Sequence, residues 1–95
     1  MDIISDKPMA FEQLARAISG RKTVAGAKQL RKALASGNAG CIYLAADADP
    51  AVTEPLFALC RHYNAKVAWV RSMTDLGRAC GIEVGAAAAA ALDFH

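Results

Sequence analysis

The chain has 95 residues, 55% of them hydrophobic and 21% charged, with a formal net charge of +2. That length gives one domain with an ordinary rather than a large core, and so small a net charge says little by itself about partners. Its distribution says more: no Asp or Glu stands between Glu12 and Asp47, whereas Arg16, Arg21, Lys22, Lys28, Arg31 and Lys32 all do.

Met1–Met9 reads as a polar, flexible lead-in, and residues 10–95 as a single domain. The opening "MDIISDKPMAFEQ" is broken by charges and a proline, so it has no signal-peptide pattern. Phe11, Leu14, Ala15 and Ile18 recur at helical spacing, predicting a helix "FEQLARAIS" ended by Gly20. "KTVAG" reads as a short strand closed by Gly26. "AKQLRKALAS" follows as a helix that stops near Gly37-Asn38. The continuous apolar run "CIYLAA" predicts a strand buried on both faces. "DADP" marks a turn, and Thr53 is the expected N-cap of a helix "EPLFALCRHYN" with Pro55 in its first turn. "KVAWVR" reads as a strand, and Ser72 or Thr74 caps a short helix "DLGRAC" ended by Gly81. The run "GAAAAAAL" fits either a helix, on alanine propensity, or a closely packed final strand. Strands alternating with helices predict an α/β sandwich around a small, mostly buried sheet.

Several chemical motifs are weighed and rejected. "GRKT" lacks the glycines of a phosphate-binding loop, since Arg21 and Arg16 occupy their places. Gly77, Gly81 and Gly85 repeat every fourth residue, but Arg78 and Glu83 among them exclude a membrane dimer face. Asp47 and Asp49 read as turn residues rather than Mg²⁺ ligands, because no third ligand or general base is near in sequence. His62 stands far from any nucleophile signature and reads as a surface or half-buried residue. Cys41, Cys60 and Cys80 are widely spaced and read as buried free thiols of a cytoplasmic protein. No enzymatic constellation, metal or cofactor is expected, and no segment approaches the roughly 20 apolar residues that cross a bilayer.

The candidate site lies in "AGAKQLRKAL". A helix N-terminus already carries partial positive charge, so Lys28, Arg31 and Lys32 on its first turns are unfavourable unless an anion meets them. At i, i+3 and i+4 they share a face, opposite Leu30, Ala33 and Leu34. Gln29 adds an amide able to donate to and accept from a base edge, and Gly26 leaves room for close backbone approach. Together these make an anion site that a polyanion would use in full. In "GIEVG", Ile82 and Val84 bracket Glu83 between two glycines. Either they cover an unstacked base or they simply begin the last strand.

"GAKQLRKAL", "LAADADPAVTEPLFALC" and "SMTDLGRACGIEVGAAAAA" resemble the L-seven-Ae/L-thirty-e family of ribosomal proteins and kink-turn RNA binders, in its bacterial branch. The similarity runs from about Phe11 to Leu92. It implies a three-layer α/β/α sandwich with a four-stranded mixed sheet, in which the alanine run is the final strand. It also implies a partner: structured RNA with a sharp bend beside tandem sheared G·A pairs, ribosomal RNA or a riboswitch among the candidates, bound by a monomer. In the resemblance Lys28 and Gln29 meet the G·A edges, and Lys32 the backbone and base edges. Ile82, Glu83 and Val84 cover the extruded nucleotide, and Arg31 and Arg78 attract phosphate. Lys28-Gln29 stands where archaeal members carry Asn-Glu, so kink-turn binding is expected to persist with weaker or altered selectivity. An assembly subunit whose basic face meets an acidic protein is the competing reading.

Overall fold

The computed structural model of the chain describes residues 7–93. It contains α1 (Phe11–Ile18), β1 (Thr23–Ala25), α2 (Ala27–Ser36), β2 (Ala39–Ala45), α3 (Pro50–His62), β3 (Val67–Val70), α4 (Met73–Ala79) and β4 (Ala88–Leu92). The four strands form one mixed sheet in the order β1-β4-β2-β3, with β2 and β3 parallel and both pairings of β4 antiparallel.

Side chains alternate across a strand, so two cores flank this sheet. Cys41, Tyr43 and Ala45 of β2 and Ala89 and Ala91 of β4 face Leu14 and Ile18 of α1 and Leu76 of α4. Ile42, Leu44, Ala88 and Ala90 face Leu30, Ala33 and Leu34 of α2 and Leu56 and Cys60 of α3. The molecule is therefore the expected α/β/α sandwich, and "CIYLAA" is apolar throughout because both of its faces are core. The alanine run is a strand. It sits at an inner position of the sheet under helices on both sides, where Ala88 to Ala91 are all buried. Small side chains there let the two helical layers approach.

Several local expectations are corrected. The helix after the "DADP" turn begins at Pro50, and its N-cap is Asp49 rather than Thr53, which is buried within the helix. Proline at the first helical position needs no N–H partner and has a suitable φ, so the chain turns helical earlier than the Thr53 signal indicates. Pro55 consequently lies inside α3, beyond its first turn, and gives up the bond an N–H would make to the Ala51 carbonyl. Ser72 is the N-cap of α4, not Thr74. Cys41 and Cys60 are buried free thiols, but Cys80, at the end of α4, is only half-buried. Met9, at the end of the expected lead-in, is tied to the β3 edge: its N–H donates to the Trp69 carbonyl (2.8 Å) and its carbonyl accepts from Arg71 N–H (3.0 Å). Residues 1–6 of that lead-in lie outside the described residues. No helix among the described residues is long and apolar enough to cross a membrane.

Candidate nucleic-acid interface

Strand register gathers the interesting segments at one end of the molecule. Ala25 pairs with Ala89, Leu44 with Ala88, and Val70 with Ala45. The C-terminal ends of β1, β2 and β3 therefore lie beside the N-terminal end of β4, and α2, α3 and α4 all begin there.

These helix starts are built differently. At α3, Asp49 Oδ1 accepts from the Ala51 N–H (2.9 Å). At α4, Ser72 Oγ accepts from the Asp75 N–H (3.0 Å), and Asp47 Oδ1 accepts from the Met73 N–H (2.8 Å). Both carboxylates weighed as metal ligands are thus helix-start acceptors, and among the described residues no group of three or more His, Cys, Asp or Glu is placed to hold a metal. α2 has no such acceptor: its N-cap is Gly26, with no side chain, and its first turn holds no acid. The Ala27, Lys28 and Gln29 N–H groups have no intrahelical acceptor. Around them Lys28, Gln29, Arg31 and Lys32 are all exposed.

Gly26 fixes the entry to this helix. Its φ of 100° and ψ of 153° belong to glycine, its N–H donates to the Ala88 carbonyl (2.9 Å), and its carbonyl accepts from Leu30 N–H (3.0 Å). The three cations stand at i, i+3 and i+4 of one helix, and one of them also borders a groove. Gln29 and Lys32 line a shallow groove with Val24, Ala33, Ser36, Asn38 and Leu92, whereas Lys28 and Arg31 lie outside it. Lys28 and Lys32, one turn apart, stay neighbours on the helix, so the groove wall and the flanking charges adjoin.

The "GIEVG" segment is a loop, because β4 begins only at Ala88; the reading in which Ile82 and Val84 open the last strand is overturned. Ile82 is 38% exposed and Val84 71%. Their position follows from backbone bonds: Ile82 N–H donates to the Gly77 carbonyl and Ala86 N–H to the Met73 carbonyl, both at 3.0 Å. A Cβ on Gly77 would overlap the Val84 carbonyl, and one on Gly85 would press on Met73 Cβ at 3.1 Å. The spaced glycines "LGRACGIEVG" therefore dock the loop on α4. Sequence reasoning missed that role for Gly77; a glycine in the middle of a short helix was the available signal. The Arg78 guanidinium lies 4.3 Å from the Phe11 ring centroid, which gives it a packing role on α1.

Thiol chemistry is disfavoured. Burial pushes all three thiols up: Cys60 to about 11, Cys41 despite the opposing Tyr43 hydrogen bond, and Cys80 despite that of Thr23. A protonated thiol is a poor nucleophile and ligand.

The family model for the ribosomal protein L7Ae/L30e/S12e/Gadd45 family matches residues 9–95. An RNA-binding protein of Geobacillus sp. (strain WCH70) is 42% identical over 82 residues, covering 86% of this chain and 96% of that protein. RNA-binding protein YbxF of Geobacillus stearothermophilus is 42% identical over 84 residues, covering 88% and 99%. Among solved structures, the Giardia lamblia 15.5kD RNA binding protein superposes with a TM-score of 0.74 at 26% identity, over 88% of this chain and 71% of that one.

Proposed function

The chain belongs to the ribosomal protein L7Ae/L30e/S12e/Gadd45 family, and from that premise we propose that it is a noncatalytic protein that binds kink-turn RNA. One observation carries the reading. Of the helices that start at this end of the sheet, α3 and α4 supply their own oxygen acceptors and α1 carries Glu12 in its first turn, while α2 has neither and is surrounded by cations. Exposed N–H groups, a helix dipole and positive charge converge where only an external anion can meet them. The names of the similar proteins supply the class of anion, RNA.

In this reading Lys28, Gln29 and Lys32 lie against the sheared G·A pairs and the adjacent backbone, with the Gln29 amide meeting a guanine edge. Arg31 draws phosphate without reading bases. Glu83 crosses the loop between Ile82 and Val84, whose side chains cover the extruded nucleotide by van der Waals contact. Gln29 is neutral, so its bond to a guanine edge is weaker than a carboxylate's by about 1 kcal/mol. The protein acts by binding the bent form of the RNA and shifting its population, which requires no chemistry. A cytoplasmic monomer is part of this proposal.

The test is a titration against two RNAs that differ only in the tandem G·A pairs, run at two salt concentrations. Binding confined to the intact bend, and lost on replacing Gln29 and Lys32 by Ala, supports kink-turn recognition. Equal, steeply salt-dependent binding to both RNAs reduces the site to phosphate attraction and removes the proposal.

A further inference from the structure

The opposite end of the sheet has a different character. There β1 begins, β4 ends, and α1, α2 and α3 all terminate. Carboxylates are distributed unevenly between the two ends. Among the described residues Glu12, Asp47, Asp49, Glu54, Asp75 and Glu83 lie on helix starts or on loops of the first end, and Asp93 alone lies at the second. The cations Arg16, Arg21, Lys22, Arg61 and Lys66 are at the second end, all exposed. Arg61, in the last turn of α3, is explained by the helix dipole; Arg21, Lys22 and Lys66 stand on no helix and are not.

Lys66 lines a groove between the ends of α2 and α3, with Gly37, Gly40, Tyr63, Asn64 and the carboxylate residue Asp93 among its other walls. The Arg21 guanidinium lies against Gly40, where a Cβ would overlap it, and Nη2 reaches the Leu92 carbonyl at 3.5 Å. That holds one cation at the groove's rim while Lys66 holds the other side. Tyr63 is 44% exposed, and His62 braces it edge-on, with ring centroids 5.2 Å apart at 87°. An aromatic face held between Lys66 and the rim guanidinium of Arg21, beside the Asn64 amide and with Asp93 as the one acid, suits bases and phosphates together; a purely acidic surface would have no use for the ring.

We propose that this groove is a second RNA site, in which Tyr63 stacks on a base of a single strand and Arg21, Arg61 and Lys66 neutralise its phosphates. The protein would then hold two RNA segments at opposite ends of its sheet. This inference stands independently of the kink-turn reading, since it uses none of the same residues.

The probe is fluorescent oligouridine of about 12 nucleotides, long enough to span one such groove. It is titrated into the full chain carrying Lys28→Ala and Lys32→Ala, which silences the first end. Binding persists there within about threefold of the unaltered protein. Adding Arg61→Glu and Lys66→Glu weakens it at least about tenfold and flattens its salt dependence, and Tyr63→Ala weakens it about fivefold. On the otherwise unaltered protein the Arg61 and Lys66 changes leave affinity for a tail-less kink-turn RNA within about twofold, which separates this site from the other. All three side chains are exposed, and circular dichroism confirms the fold. Oligouridine binding that is indifferent to Arg61→Glu with Lys66→Glu overturns the proposal. So does binding of polyglutamate, but not oligouridine, through the same residues, which would make this end a dock for an acidic protein.

Discussion

α2 and α4 begin at the same end of the same sheet, and they treat their first turns in opposite ways. α4 is closed: Ser72 and Asp47 accept its N–H groups and Asp75 complements its dipole. α2 is open: glycine at the N-cap, no acid in the first turn, and Lys28, Arg31 and Lys32 around it. A helix that only had to be stable would take the first arrangement, which favours folding by about 1 kcal/mol per cap. On the proposed function the α2 start is a binding element whose stability is completed by its ligand, whereas α4 is a platform. What α4 supports is the apolar 81–85 loop, for which the proposal predicts affinity from shape rather than charge.

The largest effect should come from breaking the platform. Gly77→Val drives side-chain atoms into the Val84 carbonyl, displacing the loop at a cost of about 2–3 kcal/mol in urea unfolding, with RNA affinity falling in parallel. Closing the open helix separates stability from function instead. Lys28→Glu with Lys32→Glu should raise stability slightly, by about 0.5 kcal/mol, while weakening RNA binding about a hundredfold. If affinity and stability fell together, the contrast between the two helix starts would be wrong. Gln29→Ala sharpens the comparison further: a loss of about 1–2 kcal/mol confined to RNA carrying the G·A pairs, with the salt slope unchanged, marks a base-edge contact. Opening the closed helix gives the converse. Ser72→Ala should cost about 1 kcal/mol of stability and leave RNA affinity at saturation of folding unaltered. Smallest is Val84→Ser, a severalfold loss of affinity that vanishes with an RNA lacking the nucleotide at the bend.

Much of this was legible in the chain because the relevant signals are local. The strand "CIYLAA" announced a two-sided core through its unbroken apolar run, and the α2 start announced itself through cations where acids belong. Other features depend on what lies across space. The alanines of β4 favour helix by propensity, and only two helical layers pressing on both faces of an inner strand make them a strand. Asp49 outcompetes Thr53 as a cap because Pro50 pre-sets the first helical φ. Gly77 has no local purpose in a helix; its reason is the Val84 carbonyl seven residues later. Gln29 and Lys32 border a groove because Val24 of β1 and Leu92 of β4 wall one flank of the helix.

The most direct test of the central claim is an NMR titration of ¹⁵N-labelled protein with a tail-less kink-turn RNA. The account predicts that amide shifts concentrate at Gly26 to Lys32 and at Ile82 to Ala87, with Ala27, Lys28 and Gln29 moving most because their N–H groups acquire acceptors. Shifts centred on α1 or on the starts of α3 and α4, with the α2 start unmoved, would contradict it.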